Sequence, residues 1–197
     1  ALYGQLARKL PFAVEPSQRA AWEYQIRHLR ELAASLPEAF FLLEFLIPRM
    51  GRRADLIVLL GGVVFVVEYK LGARQFDRSA LDQVYGYGLD LKHFHEPSHS
   101  RKVVPVVVAT AASSCGVPNL CWDNDGLAKP FGLAPHDLAG VIAGIAGESL
   151  EPPLDPENWL LGRYRPTPTI VEAAQALYRG HAVEEISRSE AGAKNLT

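Results

Sequence analysis

The 197-residue chain is short of the features that would place it in several common classes. It has two cysteines, Cys115 and Cys121, in a C-x5-C arrangement that neither makes a disulfide framework nor matches a zinc site. Its longest apolar run, Leu56 to Val67, has 12 residues with Gly61 and Gly62 inside it, too short to span a bilayer. The opening ALYGQLARKLPF lacks the apolar stretch of a signal peptide. Charge of one sign is not in excess: 20 Lys and Arg stand against 22 Asp and Glu, so no global positive field advertises a nucleic-acid binder. No G-x4-G-K-[ST] occurs, which excludes ATP hydrolysis by a P-loop. There is no internal repeat and no low-complexity tract. The expectation is a soluble protein of a reducing compartment, cytoplasmic and without a membrane partner.

What the chain does have is an ordinary core composition, 48% hydrophobic and 21% charged, enough for one large domain. Trp22, Ile26, Leu29, Ala33 and Leu36 recur at helical spacing, so a helix is expected from about Gln18 to Leu36, with Ser17 as N-cap and Pro37 as its stop. A strand follows over Phe40–Ile47, then a basic turn, Arg49 to Arg53. Another helix is expected from Ala80 to Lys92, opened by a capping-box-like Ser79 and Asp82, then a strand from Val103 to Thr110. Residues 111–134 read as loop, and 135–146 as a small-residue helix. Five prolines between Glu151 and Thr169 read as a linker before a last helix, Ile170 to Arg179, and a polar tail.

The strongest local signal is DLIVLLGGVVFVVEYK, residues 55–70. Gly61-Gly62 suits a two-residue hairpin loop because glycine tolerates positive φ. Both faces of the hairpin are apolar, so it belongs in mid-sheet with helices on either side. With Leu60 facing Val63, counting outward puts Asp55 opposite Glu68 at a non-hydrogen-bonded pair, where Cα atoms stand about 4.5 Å apart. Lys70 projects from the same face. Opposed carboxylates repel, and a divalent cation between them converts the repulsion into coordination. With an ammonium beside a metal-bound water, phosphodiester hydrolysis becomes feasible.

Asp55 followed by Glu68-Tyr69-Lys70 resembles the D…(D/E)xK signature of the restriction-endonuclease-like nucleases. The resemblance implies Mg2+ or Mn2+ held by Asp55 and Glu68, catalysis by Lys70, and an extra upstream acid. Glu44, on the first strand, is preferred for it over Glu23 on the first helix. Gln83 and Tyr87 form Q-x3-Y, one turn apart, similar to the RecB-type branch, where this pair lies beside the catalytic centre. Gly86 and Gly88 in the same helix suggest a close backbone approach.

The run LEFLIPRMGRRADLIVL…VVEYKLG…DQVYGYGLDLKHFHEPSHSRKVVPVVVAT is similar to the N-terminal region of bacterial Schlafen-like DNA/RNA helicase proteins. That resemblance implies a PD-(D/E)XK nuclease-like domain over 1–150. Residues 151–197 would then lead to a C-terminal helicase domain that is absent here. It also implies DNA or RNA as substrate and a role in defence. A homodimer is a separate expectation, since an isolated fragment can pair through surfaces that the full protein hides. The expected fold is a restriction-endonuclease-like α/β sandwich with a mixed sheet of four to five strands. The alternative is an inactive module of the same fold that binds nucleic acid or a partner for the helicase.

Residues 49–102 carry nine Lys or Arg against six Asp or Glu, a local excess suited to a phosphate backbone. Arg52, Arg53 and Arg74 are the candidate contacts. The spacing H-x-H-x3-H of His93, His95 and His99 suits loop stabilisation or substrate contact better than zinc. Trp122 and Trp159 read as packing residues.

Overall fold

The computed structural model describes residues 16–47, 51–113, 116, 118–168, 170–175 and 177–178. Arg49, Cys115 and the expected end of the last helix at Arg179 lie outside them. The chain forms α1 (Pro16–Ser35), β1 (Phe40–Ile47), β2 (Arg52–Leu60), β3 (Val63–Lys70), α2 (Arg78–Phe94), a 3-10 turn (Glu96–Ser98), β4 (Lys102–Ala109), β5 (Phe131–Leu133), α3 (Pro135–Gly147) and α4 (Pro156–Leu160). The five strands make one mixed sheet in the order β1-β2-β3-β4-β5. β1, β2 and β3 are antiparallel neighbours, whereas β3–β4 and β4–β5 are parallel. A parallel pair needs a crossover connection, and α2 supplies it between β3 and β4.

The hairpin register is the one that the glycine loop dictates. Leu60 pairs with Val63, and the ladder runs outward to Leu56 opposite Val67. Gly61 and Gly62 have φ of 56° and 79°, and a Cβ on either would lie 2.7 Å from the backbone oxygen of Ala146 or Pro152. Glycine is thus required there by conformation and by space alike.

Both faces of the hairpin are covered, as two apolar faces demand. On one, Leu56, Val58, Val63, Phe65 and Val67 pack under Leu32 of α1, Leu36 just beyond its end, and Leu138, Val141 and Ile142 of α3. On the other, Ile57, Leu59, Val64 and Val66 pack under Ala80, Val84, Tyr87 and Leu91 of α2 and Trp159 of α4. β3 and β4 are buried nearly end to end, with Phe65 wholly inaccessible. Truncating such a phenylalanine to alanine costs about 3–5 kcal/mol. Gly88 lets α2 settle onto β4: a Cβ there would sit 2.8 Å from Pro105 Cγ and 3.0 Å from Leu127 Cδ1.

Several boundaries differ from expectation. α1 starts at Pro16, which puts Ser17 inside the first turn instead of at the cap. α2 starts at Arg78 after Asp77, so Ser79 is helical, and Asp82 pairs with Arg78 at 3.7 Å in place of a capping box. The stretch 111–134 contains β5, whose three residues are too few to show an alternation.

The proline-rich stretch from residue 151 is not a free linker. Pro156 opens α4 behind Asp155, whose carboxylate accepts from the N–H groups of Glu157 and Asn158. Trp159 is buried against His95 and Phe45, with ring centroids 4.5 and 5.2 Å away. Its indole N–H donates to Ser98 Oγ. Backbone bonds from Glu96 to Arg163, Arg165 to Phe94 and Thr167 to His93 carry the attachment onward. No helix among the described residues is long and apolar enough to cross a membrane.

Candidate active site

The end of the hairpin remote from the glycine loop gathers residues from four elements. β3 carries Glu68 and Lys70, β2 carries Asp55, β1 carries Glu44, and α2 lies over this end of the sheet with Gln83 and Tyr87 one turn apart. Lys70 Nζ donates to Glu68 Oε1 at 2.9 Å and to Gln83 Oε1 at 3.0 Å. The Gln83 amide donates to Glu68 Oε1 at 2.9 Å and to the Tyr87 hydroxyl at 2.7 Å. Both amide protons of Gln83 and its carbonyl are thereby used, which fixes the side chain in one orientation. Glu68 Oε1 accepts two bonds, while Oε2 is buried with no partner.

An ionised carboxylate with one buried, unpartnered oxygen is expensive. Burial pushes the Glu68 carboxyl up, against the pull of the Lys70 ammonium and the Gln83 amide. Asp55 is pushed up to about 7, first by burial and then by the Glu68 charge. The N–H of Tyr69 donates to Asp55 Oδ2 at 2.7 Å and offsets part of this. Two carboxylates whose burial and mutual repulsion disfavour ionisation, with an oxygen left open, suit a hard divalent cation.

Glu44 occupies the register position across from Asp55, between the pairs Leu43–Leu56 and Phe45–Ala54. The side-chain alternation breaks at this point. Leu42 and Phe45 both face the α2 layer, as do Ile57 and Ala54, although each two lie three residues apart. Among the described residues Glu44 is the only non-glycine with positive φ, at 52°. A left-handed conformation costs a residue with a Cβ about 1–2 kcal/mol. The Glu44 carboxylate accepts from Trp22 Nε1 at 2.8 Å and lies 3.8 Å from Arg53. Its charge is felt by both Asp55 and Glu68. Among the described residues, however, no three His, Cys, Asp or Glu side chains converge closely enough to hold one ion together.

The structure therefore brings Asp55, Glu68, Lys70, Gln83 and Tyr87 into one network and sets Glu44 beside it. Glu23 is exposed on α1. Arg52 and Arg53 are exposed at the start of β2, where the Arg52 charge acts on the Tyr87 hydroxyl and Arg53 already faces Glu44. Arg74 is exposed in the loop after β3. Among the described residues His93, His95 and His99 make no metal-holding group. His95 is buried on Trp159 with Nδ1 against Ser98 Oγ, and burial lowers it to about 4, while His93 faces Asp125 at 3.5 Å. Cys121 is an exposed free thiol.

Two supporting residues carried no signal in the sequence. Trp22 reads only as one more apolar position of α1, yet its N–H holds Glu44. His28 reads as polar, yet it is buried between the Tyr69 hydroxyl at 2.9 Å and the Pro135 carbonyl at 3.0 Å. A carbonyl only accepts, so His28 carries its proton on Nε2 and takes the Tyr69 proton on Nδ1. That bond anchors Tyr69 on the far side of the sheet while its backbone N–H holds Asp55. An apolar groove of about 530 Å3 along Phe94, Pro166, Ile170 and Tyr178 shares no residue with this network. Comparison of the chain with protein-family models, curated proteins and solved structures finds no match.

Proposed function

We propose that the protein is a divalent-metal-dependent nuclease of the restriction-endonuclease-like type, which hydrolyses phosphodiester bonds of DNA or RNA. The observation that carries this reading is Glu68. One of its oxygens is pinned by Lys70 and Gln83, and the other is buried, unpartnered and beside a second carboxylate whose burial resists ionisation. A fold gains no stability from such an arrangement, whereas metal-assisted hydrolysis uses each part of it.

Asp55 and Glu68 would hold Mg2+ or Mn2+, which supplies an acidified water and neutralises charge on the phosphate. Lys70 orients that water and stabilises charge that develops on the phosphoryl oxygens. Gln83 fixes the Lys70 ammonium and Glu68 relative to each other, and the Tyr87 hydroxyl, which accepts from Gln83, has its own proton left to donate. Arg52, Arg53 and Arg74 offer cations to the nucleic-acid backbone. The resemblance to the N-terminal part of Schlafen-like helicase proteins adds the setting: a nuclease unit coupled to a motor and acting in defence.

The test is cleavage of labelled single- and double-stranded DNA and RNA with Mn2+, Mg2+ or EDTA, beside Glu68→Gln. Metal-dependent cutting that the variant loses is the expected result. Salt-sensitive binding with no cutting would instead assign the site to an inactive binding module.

A further inference from the structure

Glu44 is the one carboxylate at the site that is engaged elsewhere. It stands in register with Asp55, it adopts a left-handed backbone, and both of its oxygens face cations or donors outside the Asp55–Glu68 pair: Oε1 accepts from Trp22 Nε1 at 2.8 Å and Oε2 lies 3.8 Å from Arg53 Nη1. Trp22 is buried, so its N–H cannot turn to water, whereas Arg53 is 44% exposed and open to a competing anion. The unpartnered Glu68 Oε2, nine-tenths buried, marks the place where a further ligand sphere is incomplete.

Resting on the nuclease reading above, we propose that Trp22 and Arg53 park Glu44 away from the metal pair. A backbone phosphate that binds Arg53 then releases it, so that the third carboxylate joins only when nucleic acid is present. Glu44 and a phosphate oxygen are both anions competing for one guanidinium, and Arg meets either with the same fork geometry. Once Arg53 turns to phosphate, a single neutral hydrogen bond from Trp22 holds Glu44. Divalent charge beside Asp55 then outweighs that bond. By linkage, metal and nucleic acid tighten each other. Trp22 and Arg53 are positioning residues in this scheme and touch neither the metal nor the scissile bond.

Two titrations on the whole chain test this without turnover. The first is Mn2+ affinity in the absence of nucleic acid. Trp22→Phe, which keeps the ring, and Arg53→Ala, at an exposed position, should each tighten Mn2+ about three- to tenfold, and Glu44→Gln should erase the gain. The second is binding of a short duplex DNA in EDTA. Glu44→Gln should tighten it about three- to fivefold by freeing Arg53, and should do nothing in an Arg53→Ala background. If Mn2+ binds in a Glu68-dependent way but Trp22→Phe and Arg53→Ala leave its affinity unchanged or weaker, parking is refuted while the metal site stands. If Mn2+ does not bind, or binds equally to Glu68→Gln, the nuclease reading falls and takes the parking with it.

Discussion

Replacing Asp55 with asparagine should make the metal-free protein more stable above neutral pH. In the folded chain the Asp55 carboxyl titrates at about 7, against an ordinary 3.8. A folded value above the unfolded one means that the native state binds the extra proton, so stability is lost as pH rises through that window. Between pH 5 and pH 8 the folded chain keeps its proton to about 7 while the unfolded chain has already released it. The loss over that interval is about 2–3 kcal/mol. Asparagine retains an oxygen to accept the Tyr69 N–H and carries no charge to repel Glu68. The Asp55→Asn variant should thus overtake the parent, with the difference in melting temperature growing by roughly 5–10 °C from pH 5 to pH 8 in EDTA.

His95 and His28 work in the opposite direction. Burial lowers His95 to about 4, and a histidine buried neutral gains the fold stability as pH rises between about 4 and 6.5. The parent's own pH profile therefore mixes the two signs, whereas the difference between variant and parent cancels the histidines and reports the Asp55–Glu68 pair. Urea titrations at both pH values give the same quantity as a free energy. A difference that is equal at pH 5 and pH 8, or that shrinks, would refute the electrostatic account of the site.

Manganese should reverse the order of the two proteins. At a hundredfold excess over its dissociation constant it stabilises the parent by about 2.7 kcal/mol, read as a rise in melting temperature that Asp55→Asn lacks. Lys70→Ala should lower cleavage at least about a hundredfold in single-turnover assays while Mn2+ still binds. Gly88→Val should cost about 1–3 kcal/mol in chemical denaturation, because the new side chain meets Pro105 and Leu127 in a packed interface. Trp159→Ala should cost about 3–5 kcal/mol and expose residues 151–167 to protease, whereas a free linker would be cut equally in the parent.

The hairpin was legible because two glycines leave one register, which runs from Leu60–Val63 to Leu56–Val67 and ends one pair short of Asp55 and Glu68; their proximity shows instead in the Glu68 charge acting on Asp55 and in the Tyr69 N–H bond to it. The Q-x3-Y pair was legible because a helix that crosses over from β3 lies above the strand it leaves. The C-terminal stretch was less legible because proline content marks a linker and a helix start alike: Pro156 follows Asp155 as a helix start, and Trp159 three residues later is a buried anchor. The left-handed turn at Glu44 had no signal at all. Nothing in FFLLEFLI distinguishes that glutamate from an ordinary outward-facing strand residue, since the partners its carboxylate meets, Trp22 and Arg53, lie 22 residues upstream and nine downstream.

The break in alternation at Glu44 is also where the design of the sheet departs from stability. A strand pair buried on both faces is most stable when every inward position is apolar, and β3 obeys this from Val63 to Val67. At the next position the same strand buries a carboxylate with one oxygen unpaired. Across the sheet Asp55 is held against it by a Tyr69 N–H that is itself anchored through His28, and Glu44 is kept in a strained backbone by Trp22. Apolar residues at these positions would pack better and repel nothing. The supporting bonds do not remove the electrostatic cost; they hold it in place. Lys70 offsets the charge of Glu68 and Arg53 faces Glu44, yet Asp55 and Glu68 stay buried beside each other with one oxygen open, the arrangement that the proposed divalent cation would use. The tyrosine, histidine and tryptophan that do the anchoring belong to the site as much as the acids do. If the proposed metal site exists, His28→Ala should accordingly weaken Mn2+ binding, although His28 lies on the opposite face of the sheet from Glu68 and Lys70.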